Sequence, residues 1–131
     1  MRVKYILILM VASKVSFAQP SSYPIFNDFV QYSSSINAYS NICVKNFNEE
    51  GARSELFELI TLLQEKTNLS EKDIFKLKDK YFSVNKSTVS QLIQLGIKRN
   101  RALCPNYLKI FERFDVKKNA ALDKLTEITY E

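Results

Sequence analysis

The feature that most constrains this chain is its shortage of residues that interrupt a helix. It has two glycines, Gly51 and Gly96, and three prolines, Pro20, Pro24 and Pro105. Between Pro24 and Pro105 nothing strongly breaks a helix, and there is little material for the tight turns of β-hairpins. The expectation is an all-α fold of helices joined by short connections.

The apolar spacing agrees. Ile25, Phe29, Tyr32, Ile36, Tyr39 and Cys43 recur at alternating steps of three and four, which is one face of a helix over about 24–46. Pro24 suits its first turn, where the missing N–H is not needed. Asn48 reads as the N-cap of a second helix reaching about Lys66, with Glu49 and Glu50 favourable at its positive end. Ala52, Leu56, Leu59, Ile60 and Leu63 form its buried stripe, and Asn68 is expected in the left-handed turn that ends it. The clearest start signal is Leu69-Ser70-Glu71-Lys72-Asp73-Ile74. Ser70 is the N-cap, Asp73 at N3 makes a variant capping box, and Leu69 with Ile74 makes a hydrophobic staple.

This third helix continues through Leu77, Tyr81 and Phe82. Residues 83–87 (SVNKS) read as a polar connector, and a fourth helix follows over about 88–102 with Val89, Leu92, Ile93, Gly96 and Ile97 on one face. Gly96 inside it is explained by close approach of a neighbouring backbone, at a cost of about 1 kcal/mol against Ala. Cys104-Pro105 restarts the chain as a fifth helix with Tyr107, Leu108, Phe111 and Phe114. Residues 119–130 either extend it or form a sixth helix after a kink near Asp115. The expected architecture is a small five- or six-helix bundle.

The first eighteen residues have a different character. Arg2 and Lys4 precede a short apolar run, Tyr5 to Ala12, and Ser16 and Ala18 occupy the −3 and −1 positions of a cleavage site. This is the three-part pattern of a secretory signal peptide. A membrane span needs about 20 apolar residues, and Lys4 and Lys14 bracket the run too closely for that. The expected domain plan is a cleaved leader, 1–18, and one helical domain, 19–131, in the periplasm or outside the cell with no stable membrane anchor.

Cleavage alters the charge. The whole chain carries 19 Lys and Arg against 14 Asp and Glu, a net of +5, but Arg2, Lys4 and Lys14 lie in the leader, so the remainder is only +2. That is too weak a field to point to a nucleic-acid partner. In an oxidising compartment the two cysteines are expected to pair as Cys43–Cys104, a structural staple closing a long loop.

Histidine is absent. The usual general base, zinc ligand and haem ligand are missing together, and no Ser-His-Asp or Cys-His arrangement can be built. No cofactor or metal is expected. Three features remain that could carry function. Glu55 and Glu58, followed by Glu65, are paired carboxylates of the kind glycoside hydrolysis requires, although such pairs are more often a solvated helix face. The chain also segregates charge. Residues 49–66 hold five Glu against Arg53 and Lys66, whereas residues 86–113 hold six cations against Glu112 alone. Either these segments neutralise each other side by side or the basic one steers a partner. The third feature is aromatic richness, since Tyr suits recognition surfaces as well as cores. Tyr32 and Tyr39 in particular line either the core or a small apolar pocket.

The leading expectation is a small exported non-enzymatic protein-binding factor of the inhibitor, immunity or accessory kind. Its partner would be another exported protein, met through Lys98, Arg99, Arg101 and Tyr107. The alternatives are a small helical enzyme using Glu55 or Glu58 with a basic residue, and a carrier of an apolar ligand inside the bundle.

Overall fold

The computed structural model describes residues 22–129. The expected leader, 1–18, and its expected cleavage site lie outside them. The described residues form four α-helices, α1 (Tyr23–Cys43), α2 (Glu49–Gln64), α3 (Glu71–Gln94) and α4 (Leu108–Thr129), with a 3-10 segment, Arg101–Tyr107, before α4. Neighbours in sequence lie antiparallel, and α1 runs parallel to α3. The fold is all-α, with four helices rather than five or six.

α1 is the central element, and α2, α3 and α4 all pack on it. Its position explains why a single apolar stripe describes it poorly. Phe26, Val30 and Ala38 are buried as deeply as Phe29 and Tyr39, whereas Ile25, Tyr32 and Ile36 are half-buried. A helix with neighbours on several sides buries more than the roughly 100° arc of a surface helix. The serines in its middle permit close approach. Ser34 is fully buried, and its hydroxyl donates to the Tyr81 carbonyl of α3.

Two apolar clusters stack along α1. One contains Phe26, Phe29, Leu56, Ile60, Leu77 and Leu125, and draws on all four helices. The other, at the disulfide end, contains Tyr39, Ile42, Leu92, Ile97, Cys104 and Phe111. α2 contributes nothing to this second cluster, so that pole rests on α1, α3, the 3-10 segment and α4.

Local chemistry sets most of the helix ends. The Asn48 side chain accepts from the Gly51 amide at 3.0 Å and caps α2. Ser70 and Asp73 make the reciprocal capping box of α3, and Leu69 and Ile74 both join the first cluster. Asn68 does not take a left-handed turn. Its Oδ1 instead accepts from the Ser22 hydroxyl at 3.0 Å, which ties the start of α1 to the α2–α3 connection. The left-handed residue is Asn46, with φ 61°, in the α1–α2 turn.

The largest departure from expectation is at residues 83–87, which are helical and join the expected third and fourth helices into one α3. Their polarity serves packing against α1. Asn85 Nδ2 donates to the Ser34 carbonyl at 3.2 Å, and the Thr88 and Ser35 hydroxyls meet at 3.4 Å. α3 then stops earlier than expected. Gly96, with φ +82°, sits just past the helix end and not within it. Its N–H donates to the Ile93 carbonyl and that of Ile97 to the Leu92 carbonyl, which together form a Schellman cap. Leu92 and Ile97 are its apolar pair, both buried in the second cluster. Close backbone approach is not the reason for the glycine, because an added Cβ would meet only Leu103, at 4.0 Å. The reason is the positive φ, which side chains other than glycine rarely tolerate. The C-terminal residues extend α4 without a break near Asp115.

One buried polar contact gives a pH prediction. The Tyr81 hydroxyl donates to Glu49 Oε2 at 2.7 Å and accepts from Asn37 Nδ2 at 3.1 Å. Burial first, then the bond to Glu49, holds this phenol well above its ordinary value of 10. Burial and the nearby Glu112 raise Tyr39 too. Folding therefore favours the protonated phenols. That contribution is complete below pH 10 and declines above it, where the unfolded chain loses protons that the folded chain retains. Denaturant midpoints should fall steeply above about pH 10. Tyr81→Phe should flatten that fall while costing about 1–3 kcal/mol at neutral pH, because it leaves Glu49 and Asn37 without their partner. An unchanged alkaline slope in Tyr81→Phe would assign the dependence elsewhere.

Candidate functional site

The basic residues expected to dock a partner lie at the disulfide pole. α1 ends at Cys43, and Cys104 lies in the 3-10 segment. Their sulfurs are bonded, with Cα atoms 6.0 Å apart and a sequence separation of 61. The expected staple is therefore present, and it joins the end of the central helix to the segment that launches α4.

Lys98 and Arg99 follow the Schellman cap of α3 and belong to the turn that leaves it, not to a helix. Arg101 begins the 3-10 segment, whose N-cap Asn100 accepts from the Ala102 amide at 3.2 Å. This short connection is fixed at both ends. Ile97, completely buried, anchors one side, and buried Cys104 anchors the other. Between them Lys98, Arg99 and Arg101 are exposed. Among the described residues none of the three makes an ion pair.

Tyr107 differs. It is half-buried and packs against the second cluster, so it supports the surface and offers only part of its ring to solvent. Tyr39 contacts the staple directly. It stacks on Phe111 with ring centres 4.4 Å apart and donates to the Cys104 carbonyl at 3.0 Å. The Tyr39–Cys104 bond went unforeseen, because the sequence shows Tyr39 only as one apolar position on α1. Tyr39 is thus a core residue that holds the 3-10 segment in place. Tyr32 is half-buried against Phe114 and lies under Lys117.

Among the described residues the side-by-side ion pairing expected between the acidic and basic segments does not occur. Glu49 and Glu50 pair with Arg53 inside α2, and Lys118 pairs with Asp115 inside α4. Lys98, Arg99 and Arg101 are therefore left without an ion pair among the described residues, although Glu112 of α4 lies close enough to Tyr39 at this pole to raise its phenol. Glu50, Glu55, Glu58 and Glu65 are exposed.

The paired carboxylates do not converge on a cleft. Glu55 lines an opening between α1, α2 and α4, whereas Glu58 is not among its lining residues. Among the described residues no three of His, Cys, Asp and Glu are grouped to hold a metal ion, and no helix is long and apolar enough to cross a membrane. Of the two glycosylation-type tripeptides, Asn68-Leu-Ser70 has its Asn side chain engaged with Ser22, and Asn85-Lys-Ser87 has its Asn engaged with the Ser34 carbonyl.

No protein-family model matches this chain, and no curated protein or solved structure shows significant similarity to it.

Proposed function

We propose that this chain is an exported protein-binding factor without catalytic activity, and that its basic pole docks an acidic surface on another exported protein. The observation that carries this reading is the placement of Lys98, Arg99 and Arg101, three exposed cations without acidic partners on a connection fixed by a Schellman cap, an Asn cap and a disulfide. Charge on rigid backbone raises encounter rates and loses little entropy on binding. The flanking Leu95 and Leu108, each more than two-fifths exposed, supply apolar contact beside the charge. The acids clustered on α2 leave the molecule bipolar, which orients an approaching partner.

Export is part of the same proposal. The disulfide is the kind of bond that persists in oxidising compartments. The leader pattern places processing after Ala18. Mass spectrometry of the exported protein should find Gln19 at the N-terminus and two hydrogens fewer than the reduced chain. Retention of Met1 to Ala18 in exported protein would contradict the assigned compartment.

Docking is tested by introducing a photo-crosslinking residue at Arg99 and, as a control, at Glu65 on the far end of α2. The reading expects an acidic exported protein to be captured at position 99 and not at 65. Equal capture at both positions would remove the basic pole from the account.

A further inference from the structure

The molecule carries two surfaces that match in charge but do not meet within one copy. The first is on α2. Glu55, Glu58, Leu62 and Glu65 follow one another at steps of three, four and three, which sets them on one face of α2 and its C-cap residue. All four are exposed, Leu62 to 61%. Residues 54–65 hold three Glu and no Lys or Arg, and Lys66 is the first cation beyond them. Among the described residues Glu55, Glu58 and Glu65 make no ion pair. The result is an acidic strip with one protruding leucine.

The disulfide pole carries the complement. Val44, Leu95 and Leu108, each more than two-fifths exposed, lie at the end of α1, the end of α3 and the start of α4. Lys45, Lys98, Arg99, Arg101 and Lys109 are exposed next to them along the chain. Of the acids closest in sequence, Glu49 and Glu50 are taken up by Arg53, which leaves Glu112 against five cations. The two surfaces lie toward opposite ends of α1. Asn68, just past the strip, accepts from Ser22 at the start of α1, whereas Cys43 ends α1 at the pole. α1 has 21 residues, so at 1.5 Å per residue about 30 Å separates the far end of the strip from the pole, well beyond the screening length at physiological salt.

We propose that the mature protein associates with itself head to tail, the acidic strip of one copy seated on the basic pole of the next. Glu58 and Glu65 meet Lys98, Arg99 and Arg101, and Leu62 between them adds apolar contact with Val44, Leu95 and Leu108. A second copy supplies both acid and an apolar side chain to the pole. Residues 19–131 carry a net charge of only +2, so copies approach without strong mutual repulsion. The joined faces differ, so the contact is heterologous and repeats from copy to copy in a ring or an open chain. It uses the same pole as the proposed docking of a foreign protein but needs no such protein, so the two readings stand or fall separately. Copies captured by a crosslinker at position 99 or 65 are told from a foreign protein by mass.

The test is sedimentation velocity of the purified mature, disulfide-bonded protein against protein concentration and salt. At low salt the sedimentation coefficient should rise with concentration up to about 1 mM, and the rise should vanish at about 0.5 M salt, where exposed charges are screened over a few ångströms. Arg99→Glu with Arg101→Glu, and separately Glu58→Lys with Glu65→Lys, should each weaken self-association at least about tenfold and keep the wild-type melting temperature. Mixed in equal amounts, the two variants should associate with each other, because the reversed pole of one then matches the reversed strip of the other. In wild-type protein the NMR amide signals of residues 58–65 and 98–101 should shift together with concentration, a reading that needs no variant. Wild-type protein that sediments as a monomer at every concentration and salt would overturn self-association. Variants that associate as wild type does, a mixture that stays monomeric, or amide shifts confined to other residues would overturn its assignment to these two faces.

Discussion

Reduction of the Cys43–Cys104 bond, or Cys43→Ala with Cys104→Ala, should lower the stability of the mature protein by about 2–5 kcal/mol. The partners are 61 residues apart, and cross-linking a loop of that size is worth about 4 kcal/mol in the chain-entropy account. For a domain of this size that is a fall in melting temperature of roughly 10–20 °C. The location adds to the effect. The second cluster lacks α2, so at that pole α1 and the 3-10 segment are held together by the bond, by the Tyr39–Cys104 hydrogen bond and by the stacking of Tyr39 on Phe111. Calorimetry of oxidised and reduced wild-type protein checks this without a mutation. A shift of less than about 2 °C would mean that the cluster holds the pole unaided.

Leu125→Ala should cost about 2–5 kcal/mol, the usual range for deleting a leucine from a packed core. Leu125 lies near the C-terminal end of α4 and is completely buried among Phe26, Leu77 and Ala121 of the first cluster. Exposed Glu127, two positions on, serves as the control, since Glu127→Ala should change stability by no more than about 0.5 kcal/mol. The pair of variants asks whether the C-terminal residues are part of the bundle. If Leu125→Ala were as silent as Glu127→Ala in denaturant unfolding, the end of α4 would be detached from the core in solution.

The parts of this fold that could be read from the sequence are those fixed by short-range chemistry. Ser70 and Asp73 cap α3, and Asn48 caps α2, because each satisfies amides within one turn of itself. The disulfide was legible because two cysteines permit one pairing within a chain. What the sequence concealed depends on partners far along the chain. Residues 83–87 are polar, and polarity alone reads as a loop. Asn85 and Thr88 instead face the serines of α1, so the polar stretch is part of a helix interface. Gly96 has the same identity inside a helix as one step past its end, and only the bonds of Ile97 and Gly96 to Leu92 and Ile93 decide between them.

The candidate sites divide in the same way. The basic run was visible as composition, but its freedom from acidic partners was not, because that depends on which helices become neighbours. Arg53 pairs with Glu49 and Glu50 of its own helix, and among the described residues no acid of α2 pairs with Lys98, Arg99 or Arg101. The close packing of α3 on α1 was signalled only by the run Ser33-Ser34-Ser35 in the middle of α1, small residues whose hydroxyls need partners and two of which find them on α3.

On the proposed reading the basic pole steers an exported protein partner onto the disulfide end of the bundle, a role that requires Arg99 and Arg101 to be exposed, as they are. It is tested most directly by the association rate of the mature protein with the protein captured at position 99, measured against ionic strength for wild type and for Arg99→Glu with Arg101→Glu. Both residues are exposed and make no ion pair among the described residues, so the double variant should keep the wild-type melting temperature. The account predicts wild-type association that slows steeply with salt, and a variant that associates about tenfold or more slowly at low salt with that dependence lost or reversed. Identical rates and identical salt dependence in the two proteins would contradict it.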